Sequence, residues 1–241
     1  MNLAIMQPYF FPYIGYFSLI HKSDEFIIFD TPQFMRKGWI ERNRIAKLTG
    51  GSVYIKVPLV KAPLTTSIKD MIIDSSSVDW KKKILAQLEV YKKSAPFYDE
   101  VIQLVESVLE YNGCSIVELN RIALESVCSY LKLDSKISVY SEMNLDITPP
   151  RNPDEWALNI CKSLEATSYI NASGGESFFD ASKYDKNNID LYFINQPLEE
   201  YKQINSGFEP GLSIIDVMMF NSPERIVEML SSCALKSSKD K

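Results

Sequence analysis

The chain has 241 residues, 46% hydrophobic and 24% charged, a formal net charge of −5 and one histidine. That length fits one large α/β unit, and the composition is that of a globular protein rather than a disordered or repetitive one. An acidic balance excludes general nucleic-acid binding, which needs clustered Lys and Arg.

Leu3–Met6 is a short apolar run ending at Pro8, and Phe26–Phe29 is another ending at Asp30 and Pro32. Both read as buried strands, and the helical spacing of Ile14, Phe17, Leu19 and Ile20 puts a helix between them. This is a βαβ opening, which implies a parallel sheet. Val53–Val57 alternates as a third strand after Gly50-Gly51, and Ile68–Ile73 is a candidate for a fourth. Three helical patterns follow, with Leu88, Leu104, Val108, Leu119 and Val127 on their apolar faces and breaks at Pro96 and Asn112-Gly113. Ile137–Tyr140 reads as a strand, Pro153–Trp156 as a helix start, Ser168–Ile170 and Ile189–Ile194 as strands, and the remainder as an irregular tail. The expected fold is therefore α/β, a Rossmann-like mostly parallel sheet with a helical insertion at about 78–132. One domain is expected over 1–235, followed by a disordered tail at 236–241.

With no basic leader and no apolar span of 18 residues, the chain is expected in the cytoplasm, without membrane insertion. Cys114, Cys128, Cys161 and Cys233 show no metal-binding spacing, so no metal site is expected, and Cys128 and Cys161 fit core positions in helical patterns.

Chemistry concentrates in two stretches near the amino terminus. Gln7–Phe17 is dense in aromatic residues and stiffened by Pro8 and Pro12, with Tyr9 and Tyr13 as stacking surfaces and Gly15 as a point of close approach. Such a loop, leaving a strand and entering a helix, is where α/β folds bind ligands. The same residues are equally the makings of a core and a subunit interface. Asp30–Ile45 adds Lys37, Arg42 and Arg44 around Trp39, with Gln33 and Asn43 as amides. Arginine forks and a lysine charge suit an anion, although a solvated basic loop has the same composition.

The run QPYFFPYIGYF, then DTPQF and GWIERNRI, resembles the amino-terminal signature of the WbqC-like family. Asn171–Gly175, Tyr201-Lys202-Gln203, Phe208 and Leu212–Asp216 are similar to later elements of that family in the same order. Two positions depart from the pattern. Met6 stands where many relatives carry histidine, and Glu41 where asparagine is usual.

The resemblance implies a role in bacterial O-antigen, lipopolysaccharide or other surface-polysaccharide biosynthesis. It suggests a transferase acylating or aminoacylating a nucleotide-linked amino sugar, with a non-catalytic scaffold as the alternative. In the first case Lys37, Arg42 and Arg44 hold a diphosphate, Trp39 stacks with Tyr9 or Tyr13, and Gln33 and Asn43 bind hydroxyls or amides. Asp30, Asp216 and Gln7 are the catalytic candidates, the carboxylates because an amine acceptor must lose a proton. Tyr201, Gln203 and Ser213 complete the expected substrate site, Ser213 fitting a helix N-cap better than a nucleophile. The cofactor is unassigned and homo-oligomerisation is left open. The opening βαβ is also similar to nucleotidylyl-transferring folds that use ATP, but the histidine their loop carries is missing here.

Overall fold

A continuous apolar run suits a strand buried on both faces, as in a parallel sheet covered by helices on each side. In the computed structural model, which describes residues 1–77 and 79–240, the runs at Asn2–Met6 (β1) and Glu25–Ile28 (β2) are parallel neighbours. Between them lies α1 (Ile14–Lys22), buried from Ile14 to Ile20. The main sheet has six strands in the order β5-β2-β1-β6-β7-β8, with β5 (Lys136–Val139), β6 (Ser168–Ala172), β7 (Asp190–Asn195) and β8 (Ala234–Ser237). Only the β7–β8 pair is antiparallel.

Alternation along the strands divides the interior in two. Ala4, Phe26, Ile28, Ile170 and Ile194 face the larger core, while Leu3, Ile5, Ile27, Tyr169 and Phe193 face the smaller one. On the larger side lie α1 and the insertion helices α2 (Trp80–Leu88), α3 (Tyr98–Leu109) and α4 (Ile116–Leu131). On the smaller side lie α5 (Glu155–Ser163) and α6 (Ala181–Asp185). The chain thus leaves β1 toward β2 over one face and returns through α5 to β6, on the other side of β1, over the opposite face. The gap between β1 and β6 is the switch point of a doubly wound sheet.

Several expectations change. Val53–Val57 corresponds to β4 (Ser52–Lys56), but β4 pairs only with β3 (Arg42–Ala46) in a separate antiparallel hairpin. β3 lies within the stretch read as a basic loop. Ile68–Ile73 is a single 3-10 turn at Ile68–Asp70 followed by isolated bridges, because Ile68, Met71 and Ile73 turn inward without a paired neighbour strand. The tail after β7 contains α7 (Ile214–Phe220) and α8 (Pro223–Ser231), and α8 packs on α1 and α4. Lys236 and Ser237 pair with Phe193 and Tyr192 in β8. Of the helix-face residues, Leu88, Val108, Leu119 and Val127 are buried and Leu104 is half-buried. Burial pushes the Cys128 and Cys161 thiols up to about 12, as expected of core thiols.

Candidate functional site

Backbone carbonyls of the β1–α1 loop, residues 7–13, accept hydrogen bonds from side chains of α1, α4, β3 and the tail and from one tail amide. Tyr16 donates to the Gln7 carbonyl at 2.8 Å, and Asn120 of α4 donates to the Pro8 carbonyl at 2.9 Å. Asn43 of β3 donates to the carbonyls of Phe10 and Phe11 at 3.1 and 2.9 Å. Ser213 donates to the Phe11 carbonyl at 2.7 Å, and the Ile214 amide donates to that of Pro12 at 2.8 Å. Phe11 has φ 39°, a conformation costly for a bulky L-residue that persists where its surroundings hold it. The loop is thereby fixed from the insertion, the hairpin and the tail at once.

What this loop presents is a cavity of about 610 Å³ at the carboxyl ends of β1, β2 and β6. Gln7 and Tyr9 enter it from the loop, Phe29 and Thr31 from the end of β2, Asn171 from β6 and Trp156 from α5. Phe178 and Phe179 close one side, Phe178 being 53% exposed. Burial raises the Tyr9 hydroxyl above its ordinary range, so it stays protonated at neutral pH. The Thr31 hydroxyl is buried without a partner among the described residues, and none of those residues engages the Gln7 amide by a side-chain hydrogen bond. The Asn171 amide donates to the Tyr169 hydroxyl at 2.8 Å. The surface is one of aromatic faces, amides and a hydroxyl, suited to stacking and to neutral hydrogen bonds.

Of the residues expected to form the site, Gln7 and Tyr9 line this cavity. Tyr13 instead folds over Gly15, where an added Cβ would sit 2.5 Å from the Tyr13 ring, so the glycine admits its own neighbour. Asp30 is 1% exposed, and both its oxygens are taken by Ser141, from the amide at 3.1 Å and the hydroxyl at 2.5 Å. It ties the end of β2 to the turn after β5.

The basic stretch forms the outer face of the hairpin. Arg42 lies 4.1 Å from the Tyr54 ring centroid and donates to the Lys37 carbonyl, while exposed Trp39 sits beside Tyr54. Arg44 pairs with Glu209 at 3.3 Å and donates to the carbonyls of Pro210 and Gly211. Lys37 and Gln33 are exposed, and the Gln33 amide donates to the Leu64 carbonyl. None of these side chains lines the aromatic cavity.

The tail residues converge on a buried carboxylate. Asp216 is fully buried in the first turn of α7 and accepts from the hydroxyls of Tyr91 at 2.6 Å and Tyr201 at 2.7 Å, and from the Gln203 amide at 3.1 Å. Burial raises its pKa, and it stands inside the protein rather than in a cleft. Ser213 caps α7 by accepting from the Ile215 amide at 3.2 Å. The two ends of the chain do meet: Asn43 and Ser213 bind the same Phe11 carbonyl. They meet behind the loop, holding it, while the cavity lies elsewhere.

Phe29, Thr31, Trp156, Asn171 and the Phe178-Phe179 pair line the cavity without being among the site residues the sequence points to. The available signal was position, since Phe29 and Asn171 lie at the carboxyl ends of strands that the sequence identifies.

The fold is of the doubly wound α/β class, with an aromatic cavity at the switch point of its sheet. The chain belongs to the WbqC-like protein family, whose model matches residues 7–228. It is 32% identical over 235 residues to the uncharacterized protein Rv1507c of Mycobacterium tuberculosis, covering 96% of this chain and 98% of that one. No solved structure matches the chain. Among the described residues no helix is long and apolar enough to cross a membrane.

Proposed function

We propose that the aromatic cavity binds a nucleotide-linked amino sugar and that the protein transfers an acyl or aminoacyl group to it in the biosynthesis of a bacterial surface polysaccharide such as O-antigen. The observation that carries this reading is the cavity itself, placed where loops from three strand ends meet and lined by rings that stack on a sugar or base. Gln7, Thr31 and Asn171 supply the donors and acceptors that a sugar's hydroxyls and amide require. In this reading the protein contributes mainly proximity and orientation, which the fixed β1–α1 loop serves.

A non-catalytic binding role is the second reading. It is favoured by the engagement of both carboxylates expected to act as bases, Asp30 with Ser141 and Asp216 with two tyrosines. The two readings share the cavity and differ in turnover.

A thermal-shift screen against nucleotide-linked amino sugars, with acyl and aminoacyl donors, tests both. A ligand at one hundred times its Kd stabilises the folded state by about 2.7 kcal/mol, and Gln7→Ala and Trp156→Ala should each diminish that shift. A shift that neither substitution changes would move the ligand out of this cavity. Product analysis by mass spectrometry with sugar and donor together then separates transfer from binding.

A further inference from the structure

The aromatic cavity adjoins a second one. Pro153 and Trp156 line both, and the second, about 590 Å³, is otherwise lined by Tyr140, Ile147, Pro149, Pro150, Arg151 and Asn152. The lining of the first carries no charged side chain, whereas the second carries Arg151. Arg151 is exposed, and among the described residues its guanidinium donates no hydrogen bond and pairs with no carboxylate.

The nearby carboxylates are committed elsewhere. Glu155 accepts from the Arg151 backbone amide at 2.7 Å and from the Asn152 amide at 3.3 Å, and it pairs with Lys183 at 2.9 Å. Lys183 pairs also with Asp154 at 2.9 Å. The Lys183 contact and the Arg151 amide hold the Glu155 carboxyl down at about 2, so its charge is present and compensated at neutral pH. Three prolines, at 149, 150 and 153, fix the backbone on either side of Arg151 and limit what must be ordered when a ligand arrives.

We propose that the two cavities form one bipartite site: a ring stacks in the aromatic cavity, and the anionic part of the same ligand passes Trp156 to reach Arg151. This rests on the cavity reading above and narrows it to ligands that join a ring to a phosphate or diphosphate, for which a guanidinium fork is the matching donor. Trp156, shared by both halves, positions the junction. The cationic face of the β3–β4 hairpin is then not the site of the diphosphate.

UDP-N-acetylglucosamine, titrated by calorimetry at several salt concentrations, is the probe. Arg151→Gln should weaken binding about tenfold, the loss of one charge-assisted hydrogen bond, and should flatten the dependence of affinity on salt. Trp156→Ala should weaken binding while leaving the salt dependence as in the wild type. If Arg151→Gln binds as the wild type does while Gln7→Ala and Trp156→Ala bind less well, the bipartite site is wrong and the aromatic cavity stands. If Arg42→Ala is the variant that loses salt dependence, the diphosphate lies on the hairpin. Indifference to all four substitutions, or no binding by the wild type, would overturn the cavity reading together with this inference.

Discussion

Asp216 shows what a buried carboxylate does when it has no access to a ligand. Two tyrosine hydroxyls and an amide donate to it, and Tyr91 also accepts from the Ala46 amide at 2.9 Å, so one side chain joins the insertion, the hairpin, the tail and α7. In Asp216→Asn the new NH₂ group meets tyrosine hydroxyls that were donating to an oxygen. Urea unfolding should show a loss of about 1–3 kcal/mol at neutral pH. Burial raises the carboxyl pKa in the folded state, so the folded protein holds this proton more tightly than the unfolded chain, whose value is about 3.9. The stability due to this proton is full below that value and is lost as pH rises through the folded pKa. The difference between wild type and Asp216→Asn should therefore be larger near pH 3 than at pH 7. A difference that grows with pH would mean that the tyrosine donors outweigh burial.

The β1–α1 loop is the element on which the family-like residues act. Asn43 and Asn120, both buried, spend their amide protons on loop carbonyls, and Asn120 reaches the Ile40 carbonyl as well, at 2.9 Å. Asn43→Ala removes two such bonds, leaving the Phe10 carbonyl unsatisfied while Ser213 still serves Phe11. It should cost about 1–3 kcal/mol and raise hydrogen exchange of the amides in residues 7–13. If stability falls but exchange in the loop is unchanged, Asn43 supports the hairpin and not the loop. Strand β3 was hidden because its inward positions alternate Asn43 with Ile45, and a buried asparagine breaks the apolar signal by which a strand is recognised. The polar face of the same strand, Arg42 and Arg44, read as a loop for the same reason.

Across the whole molecule the larger core runs without interruption through the sheet, α1, the insertion helices, α7 and α8. That shared core leads us to expect the insertion to unfold together with the sheet. Trp39 reports on the hairpin, Trp80 on α2 and Trp156 on the opposite face of the sheet. Tryptophan fluorescence and far-ultraviolet circular dichroism should give coincident urea transitions, in the wild type and in variants that keep any two of the three tryptophans. A transition of Trp80 separate from the rest would show that the insertion unfolds on its own.

The βαβ opening, the three insertion helices and most strands of the main sheet are legible in the chain alone, because each is written in a local repeat of apolar residues that burial must satisfy. The family is legible there too, as are the stretches where polar residues have structural partners. Which of those residues line the cavity follows only from the three-dimensional arrangement. Asp30, Asn43, Ser213 and Asp216 carry functional-looking chemistry, but their partners are Ser141, the Phe10 and Phe11 carbonyls, and Tyr91 with Tyr201, the Ser213–Phe11 bond spanning 202 residues of chain. A hydrogen-bonding group of this kind has the same local signature whether its partner is a substrate or a distant carbonyl. The cavity, likewise, exists because strand order sets β6 beside β1 and brings Asn171 and Trp156 to Gln7, a neighbourhood that no local repeat encodes.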